Sequence, residues 1–415
     1  MLCYRAVDTT ADEEGGGRDE KYEKIKTLRK IKTEERKNFM YRVVRGIHPV
    51  GQGAFYTEIH NIKAGDEHCV VFDCGSKGGM ECLEKSIKDT FIKDQVIDAL
   101  VISHFDQDHV NGIVHLDKRC KIRNIVIPQF SNRKWFYIVA DYVSRGGRSV
   151  NMDVCNLTIF RQRGIRTIEV KPMDDEDRGN NERTIELSLE GGESLTISSG
   201  TRIKLLGSIN GNDSNAKWMY MPINCTLGKD IARLEAKLNA VVNGFTSLSA
   251  DAMKNAIENH GGDINKAYKE VFGNSNASSL CLYSGLDDAR LQIPLCIYST
   301  DRYWLRNSIS TEACLYTGDS ELRNLTKLNC IDRLLGTLKM RIGLVQIPHH
   351  GSIENTDTGI FDLFLDSMIV FFMSYGIGNK YGHPSQYLID MLRTRCNRIV
   401  EVTQEKRYVE MIEIG

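Results

Sequence analysis

The spacing of apolar and polar positions changes several times along the chain, and each change marks an element. From residue 40 onward, short apolar runs alternate with turn residues. YRVVRGI (41–47), GAFYTEIHNI (53–62) and HCVVFDCG (68–75) have the β-branched and aromatic content of successive strands. CLEKSIKDTFI (82–92) moves to helical spacing, VIDALVIS (96–103) is apolar on both faces like a buried strand, and VNGIVHL (110–116) opens another helix. IRNIVIPQ (122–129) predicts a strand, and RTIEVKP (166–172), RTIELSL (183–189), ESLTISSG (193–200) and TRIKLLG (201–207) predict a β-rich stretch. The pattern turns helical over 228–245 and 249–272, the latter with Ser249 and Asp251 where a helix start wants them. Strand patterning resumes at SSLCLYSG (278–285), ACLYTGD (313–319), IGLVQIPHHGS (342–352) and MIVFFMSYG (368–376). Strands interleaved with helices predict a layered α/β sheet architecture.

The region before residue 40 differs. Residues 1–38 hold 10 Lys/Arg and 9 Asp/Glu with almost nothing to bury, so 1–39 is expected to be a charged tail, disordered or helical. The expected organisation is then a first half of the fold over 40–208, a helical insertion over 209–275 and a second half over 276–415.

Composition adds limits. A chain of 415 residues with 41% hydrophobic content has ample core for one large or two ordinary domains. The net charge of −1 excludes a global basic field, although a local basic groove would not show in the sum. The 12 cysteines are scattered with no CxxC pair, which predicts reduced thiols and a cytoplasmic setting. No apolar run reaches the roughly 20 residues that span a bilayer, so no membrane partner is expected.

The chemistry concentrates in SHFDQDH (103–109), which follows a buried strand and precedes a helix. That is the carboxyl-end loop where open α/β sheets bind ligands. His104, Asp106 and Asp108 alternate, and so share one face of an extended segment, while His109 turns in as the helix begins. Buried carboxylates this close repel each other unless cations sit between them.

This spacing resembles the metallo-β-lactamase fold superfamily, whose usual pattern is His-x-His-x-Asp-His, with Asp106 here in the place of the second His. Further motifs follow in the expected order: HPVGQGAFYTEI (48–59), VVFDCGS (70–76), NASSLCLYSG (276–285), YTGD (316–319), IPHHGS (347–352) and GIGNKYGHPS (376–385). Taken together they are most similar to the hydrolase domain of the ComEC/Rec2 competence proteins, over about residues 41–415 apart from the insertion. Two features depart from that pattern. No counterpart of the competence proteins' membrane channel is present, so the chain is not expected to carry DNA across a membrane itself, and no His stands between 117 and 259, where the superfamily has a middle ligand.

The resemblance implies an α/β fold, an αββα metallo-β-lactamase-type sandwich with a helical insertion, and two divalent metal ions. Oxygen-rich ligands favour Mn²⁺ or Mg²⁺ over the Zn²⁺ of His-rich sites. It further implies that His104 and Asp106 face one ion, Asp108 and His109 face the other, and Asp319 bridges them. Asp108 is also placed to take the proton of the attacking water. HHGS at a strand end turns its two imidazoles to opposite faces, so His349 is expected as the ligand and His350 at the substrate. His383 is expected as a ligand or a donor to a phosphate oxygen. Asn379 either caps a turn or touches substrate, and Ser352 is a second substrate candidate. Asp73 is expected to support the site, and Gly51 and Gly53 to allow close backbone approach. The other histidines lack partners at ligand spacing and are expected to be structural or exposed.

These expectations describe a metal-dependent hydrolase acting on DNA or an oligonucleotide through an activated water. A lactonase or thioesterase of the same fold and a non-catalytic partner-binding protein are the alternatives. NRKWFY (132–137) and TDRYWLR (300–306) interleave basic and aromatic residues as nucleic-acid surfaces do. The tail and the insertion are the surfaces expected to meet a protein partner.

Overall fold

Period-two patterning divides each strand between two environments. In the strand Glu67–Cys74, Val70 and Phe72 face one apolar cluster while Cys69 and Val71 face another. Ala99 and Val101 separate from Leu100 in the same way, as do Leu280 and Leu282 from Cys281 and Tyr283. The computed structural model describes residues 41–62, 67–129, 164–173, 184–187, 192–205, 218–272, 279–287, 295–299, 311–356, 358–364, 369–395 and 398–414. All lie in the unit Met40–Gly415.

Two sheets result. From edge to edge the first runs Leu195–Ile197, Arg166–Val170, Asn124–Pro128, Ala99–Val101, Glu67–Cys74, Phe55–Ile62, Tyr41–Ile47, Tyr408–Ile414 and Leu295–Ser299. The second runs Thr184–Leu187, Arg202–Leu205, Trp218–Leu227, Leu280–Leu286, Ala313–Tyr316, Ile342–Gln346, Val370–Ser374 and Ile399–Val402, with Pro172–Met173 also beside Trp218–Leu227. Glu67–Cys74, Ala99–Val101 and Asn124–Pro128 are mutually parallel, and so are the last four strands of the second sheet. Their carboxyl ends therefore gather, and the candidate residues follow those ends.

Three apolar clusters fill the layers. One lies between the sheets around Tyr56, Phe72, Tyr316 and Phe372. The second packs the helices Met80–Thr90 and Ile113–Arg119 on the outer face of the first sheet and continues into Gly228–Val241 and Ala250–Phe272. The third packs Leu325–Leu335 and Gln386–Arg395 outside the second sheet. This is the mixed α/β sandwich expected from the sequence. The helical stretch starts later than expected, because Trp218–Leu227 is a strand within the second sheet and the helices begin at Gly228.

A buried polar network joins the sheets. Arg45, with no solvent exposure, donates to Glu58 at 2.7 Å and Glu410 at 2.7 Å. Glu58 also accepts from Tyr220 at 2.7 Å, Ser284 at 2.5 Å and Tyr316 at 2.9 Å, all on the second sheet. Burial raises the pKa of Glu58, but Arg45, His60 and Ser284 outweigh it and hold the carboxyl down at about 2. Among the described residues no helix is long and apolar enough to cross a membrane.

Candidate metal centre

Five loops at strand ends converge. Asp73 ends Glu67–Cys74, 103–109 follows Ala99–Val101, Asp319 follows Ala313–Tyr316, His349 and His350 follow Ile342–Gln346, and His383 lies beyond Val370–Ser374. The approach is close: a Cβ on Gly75 would lie 2.4 Å from the Asp108 carbonyl carbon, and one on Gly53 would lie 2.2 Å from the Gly75 oxygen. Only glycine fits at these points.

Four of the imidazoles are anchored at Nδ1. His109 Nδ1 donates to the Asp73 carboxylate at 2.8 Å, and Asp73 is itself fixed by Ser103 N at 2.7 Å and Ser103 Oγ at 2.6 Å. His350 Nδ1 donates to the Ser374 carbonyl at 2.8 Å, and His349 Nδ1 to Asn355 Oδ1 at 2.8 Å. His104 Nδ1 pairs with Ser103 Oγ at 2.9 Å. With Nδ1–H committed, Nε2 is the atom left to take an ion or, without one, a second proton, the arrangement found in metal-ligating histidines held from behind.

The Nε2 atoms turn toward carboxylates. His109 lies 3.2 Å from Asp319 Oδ1, His104 3.6 Å from both Asp319 Oδ2 and Asp106 Oδ2, His349 3.7 Å from Asp319 Oδ2, and His350 3.4 Å from Asp108 Oδ2. His104 Nε2, His109 Nε2, His350 Nε2 and Asp319 Oδ1 are buried without a hydrogen-bond partner. Lone pairs facing carboxylate oxygens need protons or a cation between them. Two sets of donor atoms are close enough to share an ion: His104, His109 and Asp319, and Asp108, His109 and His350. The residues thus fit a divalent cation. His109 offers one lone pair and can serve one ion only, so a second ion must draw on other neighbours.

The electrostatics agree. Burial opposes charge on Asp319, yet His109 and His349 bring its pKa well below the carboxylate range; burial opposes charge on Asp108, and His350 and Lys77 overcome it in the same way. Burial lowers the pKa of His109, but Asp319 and Asp73 raise it well above the ordinary value. Lys77 Nζ lies 2.9 Å from Asp108 Oδ1.

Several expectations shift. His350 rather than His349 joins a three-donor set. The expected alternation assumed a strand, but His349 and His350 have φ of 51° and 56° in a tight turn, so both imidazoles point toward the carboxylates. Asp106 stays next to His104 but belongs to neither set. His383 meets His349 edge-on, with ring centroids 5.1 Å apart and planes 60° apart, and is also outside both sets. Burial, with His349 and His350 nearby, holds its pKa down at about 4. Asn379 is spent on its own turn, donating to the Gly376 and His383 carbonyls and accepting from the Tyr381 and His383 amides. Ser352 is buried, with its hydroxyl accepting from Glu354 N at 3.2 Å. Lys77 and Asn355 were not expected at the site, since their places depend on tertiary approach. NRKWFY, TDRYWLR and the tail lie outside the described residues.

Two facing sheets thus carry, at their carboxyl edge, a His/Asp cluster whose donors fit a divalent cation. Residues 60–196 match the family model of the metallo-beta-lactamase superfamily. The solved structure of a long form RNase Z from yeast aligns at 11% identity with a TM-score of 0.32, covering 81% of this chain and 36% of that one. The chain thus spans about a third of that protein's length, and so loose an alignment says nothing about shared chemistry. No curated protein matches the sequence.

Proposed function

We propose that the protein is a metal-dependent phosphodiesterase that cuts single-stranded DNA or a related oligonucleotide. The observation that carries this reading is the gathering of buried imidazole nitrogens and a carboxylate oxygen, left without hydrogen-bond partners, into two three-donor sets that share His109. In this reading His104, His109 and Asp319 hold one ion, and Asp108 and His350, with Asp106 or His349 nearby, hold another. Bound divalent ions would lower the pKa of a water and neutralise charge on a phosphoryl oxygen.

The protein's own groups supply the rest. Asp73 keeps the His109 proton on Nδ1 and so keeps Nε2 open. Asp108 is ionised and placed to accept a proton. Lys77, bonded to Asp108 and one-third exposed, supplies a positive charge at the entrance. His349 and His383 line the approach, and the neutral His383 is a hydrogen-bond partner for the leaving oxygen. A phosphodiester is favoured over a carboxylic ester because it carries a negative charge. Lys77 and Lys380 flank the entrance, an arrangement suited to an anion.

The test incubates purified protein with labelled single-stranded DNA and Mn²⁺, beside Asp108→Ala. Metal-dependent cleavage that falls at least about 100-fold in the variant is expected. If a panel that includes cyclic dinucleotides stays uncut while chromogenic esters or lactams are hydrolysed, the phosphodiesterase reading is wrong.

A further inference from the structure

Beside the centre, the turn 376–383 holds an aromatic ring out to solvent. Tyr381 is 45% exposed, although its backbone is fixed by the Asn379 side chain, which accepts from the Tyr381 amide at 3.0 Å. The ring lies between two cations, with Lys77 Nζ at 5.9 Å and Lys380 Nζ at 5.6 Å from its centroid. It runs nearly parallel to the His383 ring, 17° apart with centroids 6.4 Å distant, and His383 in turn lies 5.1 Å from His349. A row of rings therefore leads from solvent to the donor cluster. Lys77 links the two ends, since the same Nζ that faces Tyr381 lies 2.9 Å from Asp108.

We propose that Tyr381, with Lys77 and Lys380, forms a stacking subsite for a base of single-stranded nucleic acid adjoining the scissile phosphodiester. This rests on the phosphodiesterase reading above. An exposed, preorganised aromatic ring takes any base, and the two cations lying over it hold the flanking phosphates, the combination that binds single strands without reading sequence. In a duplex the base faces are already stacked, so the subsite favours single strands. The Asn379 side chain, the amide of the turn, is occupied internally and takes no part in reading the base.

The experiment measures kcat/KM for a fluorescent oligothymidine in Mn²⁺ with wild type, Tyr381→Ala, Tyr381→Leu and Tyr381→Phe. After the cleavage position is mapped, the series is repeated with an abasic residue on either side of it. Expected are losses of roughly tenfold or more for Ala and Leu, near-complete retention for Phe, and an abasic penalty in wild type that largely disappears in Tyr381→Ala. A merely structural role for the ring would give losses that ignore the abasic residue. If wild type cleaves the strand but Ala matches it, or the abasic penalty is equal in both proteins, the subsite is refuted while the phosphodiesterase reading stands. If wild type cleaves no oligonucleotide, both fall.

Discussion

Asp73 is fully buried and out of reach of any substrate, yet exchanging its charge for an amide of the same shape should weaken the centre. Its carboxylate accepts three hydrogen bonds, from Ser103 N at 2.7 Å, Ser103 Oγ at 2.6 Å and His109 Nδ1 at 2.8 Å. In Asp73→Asn the oxygen can keep Ser103 N, but the amide nitrogen then faces His109 and donates. His109 must present an unprotonated Nδ1, which moves its proton to Nε2, the atom proposed to hold the ion. Restoring the ligating tautomer forfeits a charge-assisted bond of about 1.5–3 kcal/mol, which corresponds to roughly a 10- to 100-fold loss of metal affinity. Calorimetric titration with Mn²⁺ reads this directly, and thermal melting in chelator shows whether the variant remains folded. Ser103→Ala is the comparison, since it leaves the Asp73–His109 bond in place and should cost less than Asp73→Asn. A folded Asp73→Asn that binds Mn²⁺ within twofold of wild type would show that the tautomer argument is wrong.

Two further outcomes follow from the space between the sheets. His60 is buried between the Tyr41 and Tyr220 hydroxyls, at 2.5 and 2.6 Å, and burial lowers its pKa to about 4. Its folded pKa lies below its unfolded value, so the stability it contributes is present above about pH 6.5 and is lost as pH falls through about 4. Over that window wild type should lose about 3 kcal/mol more than His60→Gln in denaturant titrations, and equal losses would contradict the assignment. Arg45→Met strands the Glu58 and Glu410 carboxylates in the interior and should destabilise by about 3–5 kcal/mol, read as a lower urea midpoint. A change under about 1 kcal/mol would mean that the network is not buried as described.

Much of this was legible in the sequence because period-two alternation and strand-end loops are local. Val70 and Phe72 against Cys69 and Val71 alternate in HCVVFDCG, and the spacing of SHFDQDH singles out His104, Asp108 and His109, which the donor sets contain, together with Asp106, which they do not. Trp218–Leu227 was less legible. It contains Pro222, which argues against a central strand, and its Trp218 and Tyr220 face one apolar cluster while Met219, Met221 and Ile223 face another, so no polar face marks it. Tyr408–Ile414 does alternate in YVEMIEI and had a signal to offer. That His350 joins a donor set and His349 does not was hidden, because nothing local announces two consecutive residues at positive φ. Asp73 and Lys77 illustrate the general limit: their contacts, with His109 and Asp108, span 36 and 31 residues of chain and exist only once the strand ends meet.

The central claim is that His104, His109, Asp108, Asp319 and His350 hold a divalent ion. Elemental analysis of protein purified gently in Mn²⁺ or Zn²⁺ tests it most directly, with His109→Ala alongside because that residue belongs to both donor sets. The account predicts at least about one equivalent of metal per chain in wild type and a clear drop in a folded His109→Ala. Less than about half an equivalent in wild type, or a metal content indifferent to His109, would contradict it.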